Sequence, residues 1–306
     1  MNDRFRRFLR LFAPTNGLRD AILLDHVRDY FAFKRYYKTR FATDNARVFP
    51  HRLVVVAIIK NEGRYLQEWL EYHKLVGVEA FYLYDNDSTD HTQALLAPYI
   101  AQGEVVYTAW TGQRQQNNVY HDALLKLRLV SRWVAYIDAD EFIVPIAKPT
   151  VPEILEDYQN EVGLSMHWMM YGDNGHTTSS DDLVIERFTA HAPAPDIWMK
   201  SIINPRAAFT MEAHHGCFIG NRSAVNENGK KVRSRSFPPV ADKIRLNHYW
   251  GKTWEEYLEK RAKGTVGARN PLLPSDRSMF DERNRNEVQD DIMKPYVSLI
   301  KAKIGK

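Results

Sequence analysis

The chain has 306 residues, 44% hydrophobic and 26% charged, the proportions of a folded protein with a sizeable core. Lys and Arg number 42 against 38 Asp and Glu, yet residues 1–52 alone hold 12 against 5, so the excess positive charge sits at one end and is not spread as a nucleic-acid footprint. The single cysteine, Cys217, excludes an internal disulfide, and the longest apolar run, Leu53–Ile59, falls far short of the roughly 20 residues needed to span a bilayer.

The N-terminus, MNDRFRRFLRLFAP, is basic but lacks the apolar stretch and small-residue cleavage site of a signal peptide, so a cytoplasmic protein is expected. Phe5, Phe8, Leu9 and Phe12 recur every three to four residues with arginines between them. Such a stripe suits a helix on the inner, anionic face of a membrane or a helix packed on the body of the protein, and packing is the preferred reading. Residues 1–52 are therefore read as a basic, aromatic-rich helical segment.

From residue 53 strands and helices alternate. LVVVAII (53–59) is a β-branched run of the kind buried on both faces of a sheet. A helix follows, carrying Leu66, Trp69, Leu70, His73 and Val76 on one stripe and ending at Gly77. FYLY (81–84) is the second strand, followed by a helix over 90–101 with Ser88 or Thr89 as its N-cap. EVVYTAW (104–110), a helix over 115–131 and WVAYID (133–138) complete four strands in βα order, which predicts a mainly parallel twisted sheet flanked by helices. Beyond residue 145 the pattern loosens. VGLSMHWMM (162–170) and LVIERF (183–188) read as strands, TWEEYLEKRAKG (253–264) as a helix, and a polar helix is expected around 281–304 after a Pro-containing linker. The chain divides into residues 1–52, a domain over 53–265 with halves 53–145 and 146–265, and a helical extension over 266–306.

Ligands of such sheets bind at the carboxyl ends of the strands, where the polar clusters fall. Asp138 and Asp140 follow the fourth strand and, in extended backbone, face one side roughly 7 Å apart. Two carboxylates there call for a compensating cation, and hard oxygen ligands favour Mg²⁺ or Mn²⁺ bridging the phosphates of a nucleotide. Asp85-Asn86-Asp87-Ser88-Thr89-Asp90 and Lys60-Asn61-Glu62 follow the second and first strands, and together with the Asp138–Asp140 pair they would line a nucleotide pocket. Trp69 and Trp133 read as core residues and Met166, Met169 and Met170 as core filling. Trp168, Trp198 and Trp250 fall in the half that would meet an acceptor.

The segments AIIKNEGRYLQEWLEYHKLVGVEAFYLYDNDSTD, WVAYIDADEFIVP, GLSMHWMMYGDNG, VIERF and LNHYWGKTWEEYLEKRAKG together resemble glycosyltransferase family 92 and family 2-like enzymes of GT-A fold, over roughly residues 53–265. The resemblance implies an α/β nucleotide-diphospho-sugar transferase that moves a sugar, often galactose from a UDP-sugar, to a glycan or lipid-linked glycan, generally with inversion. It implies that Asp138 and Asp140 hold Mn²⁺ or Mg²⁺ with His248 as a further ligand, His214 and His215 competing for that place. It further implies that Asn61, Glu62, Asp85, Asn86 and Gln115 or Gln116 face the donor. The general base is sought at Glu186 or Asp173, and Glu255 and Glu256 read as the exposed first turn of a helix. Other readings of the same residues are a non-catalytic nucleotide-sugar or glycan-binding protein and an Asp-x-Asp phosphohydrolase.

Overall fold

The strand His51–Ile59 (β1) organises the molecule. In the computed structural model, which describes residues 47–218, 222–232, 238–263 and 277–306, its Val- and Ile-rich run is buried from Leu53 onward. Alternate side chains enter two different cores. Leu53, Val55, Ala57 and Ile59 face one, and Val54, Val56 and Ile58 face the other, as a strand covered on both sides must. The Phe5–Phe12 stripe and the Pro-containing linker lie outside the described residues.

Ala80–Asp85 (β2) and Ser131–Tyr136 (β4) flank β1 in parallel, and Val105–Ala109 (β3) extends the sheet beyond β2. Gly63–Leu75 (α1) and Thr92–Ala101 (α2) cover one face through Leu66, Trp69, Leu70 and Leu96; Gln116–Leu127 (α3) covers the other through Val119, Tyr120, Ala123 and Leu124. Glu141–Pro145 (β5), Gly163–Met170 (β6), Met199–Ile203 (β8) and Ile244–His248 (β11) bring the sheet to eight strands in the order β3-β2-β1-β4-β8-β6-β11-β5. β8 is antiparallel to both β4 and β6, and β5 is antiparallel to β11. The first four strands are thus the parallel series expected, and the whole is a mainly parallel α/β sheet flanked by helices.

Short elements complete the chain: the helix Val151–Leu155 (α4), a one-turn helix Val184–Arg187 (α5), the pair Ala190–His191 (β7) and Val288–Gln289 (β12), and the hairpin Ala208–Met211 (β9) with Gly216–Phe218 (β10). Trp254–Ala262 (α6), Arg277–Arg283 (α7) and Lys294–Ile304 (α8) follow. Among the described residues no helix is long and apolar enough to cross a membrane.

Several expectations give way to local hydrogen bonding. LVIERF does not form a strand: the Val184 and Ile185 N–H groups donate to the buried Glu68 carboxylate at 2.7 and 2.9 Å, and the chain closes into α5. Ser88 and Thr89 do not cap α2, because Ser88 Oγ accepts from the Asn61 N–H and the Thr89 N–H donates to Asn61 Oδ1; His91 stands at the N-cap instead. The polar helix expected around 281–304 divides into α7 and α8 with β12 between them.

The strand β5 was not anticipated from sequence, and its outer edge is closed in an uncommon way. No strand pairs there among the described residues. Three side chains of α1 take the free backbone groups: Trp69 Nε1 donates to the Glu141 carbonyl at 2.8 Å, Tyr72 OH to the Ile143 carbonyl at 3.0 Å, and His73 Nε2 receives the Ile143 N–H at 3.2 Å. The acceptor role fixes the tautomer, and His73 Nδ1–H donates to the Trp69 carbonyl at 2.8 Å. Burial holds the His73 imidazole down to about 3, so the folded state resists the proton that the unfolded chain accepts near 6.5. Its contribution is complete above about pH 6.5 and is lost as pH falls towards 3, by up to about 1.4 kcal/mol per pH unit. Urea unfolding of the wild type between pH 7 and 4 is expected to show this slope and His73→Gln to lack it; parallel pH profiles would refute the assignment.

Candidate active site

The parallel register places the polar clusters at one rim. Ile59 of β1 is paired with Asp85 of β2, which is paired with Ala109 of β3, and Val56 with Tyr136 of β4, so the loops after all four strands leave the sheet on the same side. Asp138 and Asp140 do not continue β4 as extended backbone. The chain turns, with the Glu141 N–H donating to the Asp138 carbonyl at 3.1 Å and the Asp138 N–H to Glu141 Oε2 at 2.8 Å. The two aspartates therefore acquire separate sets of partners.

Asp138 Oδ2 accepts from Lys200 Nζ at 2.9 Å, while its Oδ1 receives long bonds from Gln116 Nε2 (3.3 Å) and Tyr120 OH (3.4 Å). Lys200 comes from β8, which runs antiparallel beside β4 and carries it level with the turn; its ammonium also lies 3.8 Å from Glu141 Oε2. Lys200 and Glu141 are completely enclosed. Burial drives the Glu141 carboxyl well above the usual range, Lys200 opposing and the two aspartates adding to the rise. Burial would lower the Lys200 ammonium, but Asp138 and Glu141 more than reverse this and keep it charged.

Asp140 Oδ2 accepts from Lys260 Nζ at 2.5 Å and lies 3.6 Å from His248 Nε2 at the end of β11. Burial would raise the Asp140 carboxyl, but Lys260, His248 and Lys252 outweigh it and hold it well below its ordinary range. Burial lowers His248 despite Asp140, leaving a neutral ring backed by Trp168 with centroids 4.5 Å apart. An ionised carboxylate and an unprotonated imidazole thus meet at the rim.

The loop after β1 joins this group through Lys263, which donates to the Asn61 carbonyl and lies 3.8 Å from Glu62 Oε1. The Asn61 side chain is turned the other way, in a left-handed residue at φ +53°, and accepts from the N–H groups of Thr89 and Asp90. Asp85 and Asn86 are likewise engaged within the rim. Asp85 accepts from the Ser88 N–H at 3.0 Å and Tyr107 OH at 2.8 Å, and Asn86 Nδ2 donates to the Trp110 and Gly112 carbonyls at 2.9 Å each.

Other candidates are placed elsewhere. Gln116, not Gln115, reaches Asp138; Gln115 Oε1 accepts from Trp110 Nε1 and Asn118 Nδ2. Glu186 is exposed on α5 and paired with Lys301 of α8 at 2.7 Å. Asp173 accepts from the side chains of Asn284 and Asn286. Neither carboxylate is brought to the Asp138–Asp140 turn. His215 lies 3.8 Å from Glu212 on the β9–β10 hairpin, and His214 packs on Trp168 and Trp198, so His248 alone of the three adjoins Asp140. Glu255 is exposed as expected, but Glu256 is buried: it receives two bonds from Arg187 at 2.9 and 3.0 Å, one from Tyr65 OH, and completes a capping box with Thr253. Trp69 and Trp133 are core residues, as are Met166, Met169 and Met170. Lys200, Lys252, Lys260 and Lys263 were missed from sequence. Only Lys200 left a visible sign, a charge inside the apolar strand MKSII.

The rim at the carboxyl ends of the strands of this α/β fold thus carries an acid pair, a histidine and several lysines. The sequence profile of glycosyltransferase family 92 matches residues 56–267, and the chain belongs to that family. It is 26% identical over 223 residues to a glycosyltransferase family 92 protein of Ricinus communis, covering 69% of this chain and 37% of that one. A galactan beta-1,4-galactosyltransferase of Arabidopsis thaliana is 24% identical over 206 residues, covering 61% and 37%. The chain thus spans little more than a third of the length of these relatives. Among solved structures, S. aureus TarS 1-349 in complex with UDP-GlcNAc aligns over 82% of this chain and 74% of its own, at 16% identity and a TM-score of 0.38.

The enclosed Lys200 gives a direct test of the rim. Lys200→Met leaves Asp138 and Glu141 without their counter-charge, and losing one partner of a buried pair costs about 3–5 kcal/mol. The loss is expected to be larger at pH 8 than at pH 5, because the stranded Glu141 carboxyl, already raised by burial, is pushed up further and its penalty grows as pH rises past its unfolded value. A loss under about 1 kcal/mol in urea unfolding at pH 8 would rule out this role.

Proposed function

We propose that the chain transfers a hexose from a nucleoside-diphosphate donor to a glycan or lipid-linked glycan acceptor, with inversion, UDP and galactose being the favoured donor parts. The observation that carries this reading is the meeting of Asp140, His248 and Lys260 at the rim where the loops after β1 and β4 converge. Family membership supports glycosyl transfer, and the Arabidopsis galactosyltransferases support galactose.

The donor atoms fit Mn²⁺ or Mg²⁺. A carboxylate held ionised and an imidazole held neutral lie 3.6 Å apart, and Lys260 already sets a cation on the same carboxylate oxygen. Asp140 and His248 would hold the ion, and such an ion supplies positive charge to a departing diphosphate; Asp138, turned to Lys200, Gln116 and Tyr120, is not gathered with them into one ligand group. Lys200 fixes Asp138 Oδ2, and Trp168 fixes the plane of His248. Asn61, Glu62, Asp85 and Asn86 shape the side of the rim assigned to the base and ribose. Glu186 and Asp173 keep their partners in α8 and the 284–286 segment. That commitment favours a second reading, binding of a nucleotide sugar without turnover.

Release of UDP from UDP-galactose with water as acceptor separates the two. Turnover in Mn²⁺ is expected, with a fall of about a hundredfold in EDTA or in Asp140→Asn, the scale of losing one electrostatic contact to the reacting group. UDP binding without release from UDP-galactose, UDP-glucose or UDP-GlcNAc would support the binding protein instead.

A further inference from the structure

Lys252 lies two residues before α6 and has 8% exposure. Among the described residues it forms no ion pair with a carboxylate, and its ammonium rests 4.3 Å from the centre of the Tyr65 ring. That ring is held in place, since Tyr65 OH donates to Glu256 Oε1 at 2.8 Å. The backbone of Lys252 is left-handed at φ +54°, a region a long side chain seldom occupies. Asp140, Glu62 and Glu256 act on it only from a distance. A buried cation with no carboxylate in direct contact and a strained backbone both oppose folding, and such features persist where a ligand needs them.

Two more lysines face the same place. Lys260, on α6, bonds Asp140 and the Trp250 carbonyl; Lys263, just past its end, bonds the Asn61 carbonyl and approaches Glu62. The helix dipole alone accounts for cations in the last turn. It does not account for Lys252, which stands by the positive end of α6, where a cation is disfavoured. Three ammonium groups thus surround two carboxylates, Glu62 and Asp140, and leave the mouth with a surplus of positive charge.

We propose that Lys252, Lys260 and Lys263 form the seat of the donor diphosphate, so that this chain holds a diphosphate through its own cations whether or not a divalent ion is bound. The inference rests on the reading of the donor as a nucleoside diphosphate sugar. In it Lys260 and Lys263 exchange Asp140 and Glu62 for phosphate oxygens, and Lys252 gains a direct anionic partner. The seat lies between the loop after β1 and the turn after β4. There it draws the leaving group towards α6 and exposes the sugar on the side of β11.

Inorganic pyrophosphate and UDP, titrated calorimetrically in EDTA and in Mn²⁺, test the seat without assuming a sugar. Wild type is expected to bind pyrophosphate in EDTA, with affinity falling as salt rises. Lys252→Met is expected to weaken pyrophosphate and UDP alike by about tenfold, the scale of a hydrogen bond to a charged group. Lys263→Gln, at a half-buried position that tolerates change, is expected to shift both the same way and carries the test if Lys252→Met does not fold. Lys294→Gln, on the exposed face of α8, controls for unspecific attraction and is expected to bind as wild type. Absence of pyrophosphate binding in EDTA, or UDP affinity unchanged in folded Lys252→Met and in Lys263→Gln, would overturn the seat. Lysine-dependent pyrophosphate binding with no release of UDP from any sugar donor would instead uphold the seat and defeat glycosyl transfer.

Discussion

An ammonium group enclosed as fully as that of Lys200 has to be neutralised inside the protein, and this requirement fixes the turn between β4 and β5. Asp138 supplies the charge at 2.9 Å, and Glu141, at 3.8 Å, receives the Asp138 N–H and so closes the turn. β8, paired beside β4, carries Lys200 to that level. Asp140, one residue past Ala139, is then left to face α6 and His248. The division of labour between the two aspartates thus comes from a buried ion pair, not from the pleat of a strand.

The two sides of the rim are built differently. On the side of β2 and β3 the polar groups are joined to one another by neutral or singly charged hydrogen bonds: Asn61 to Thr89 and Asp90, Asn86 to Trp110 and Gly112, Asp85 to Ser88 and Tyr107. These bonds join three loops into one unit. On the side of α6 the contacts are ion pairs of half-buried lysines, and such pairs exchange partners readily when an anion competes for them. One side of the rim is therefore a rigid, mutually bonded unit, and the other a set of exchangeable charges.

Much of the scaffold was legible in the sequence because its signals are local. The run LVVVAII, the stripe Leu66–Trp69–Leu70–His73 and the Asp-x-Asp after WVAYI each declare an element or a strand end within a few residues. What stayed hidden depended on pairing between distant segments. Lys260 is 120 residues from Asp140, Glu256 is 69 from Arg187, and Val184 is 116 from Glu68. No spacing rule reports such distances, so Glu256 reads as an exposed acid and LVIERF as a strand until the partners are seen. Gln115 and Gln116 differ only in which way a helix start faces, which adjacency in sequence does not disclose.

The closure of β5 by Trp69, Tyr72 and His73 gives the sheet two unlike ends. At one end the hydrogen-bonding capacity of the last strand is consumed by side chains of a helix, so no further strand finds a donor or acceptor row there. At the other, β3 pairs only with β2 among the described residues and shows Val106 to solvent. Growth of the sheet by an added segment, from this chain or from another, is therefore directional. It has the β3 edge to join, on the side away from the aspartates, and a partner docked there would lengthen the sheet without approaching the chemistry at its rim.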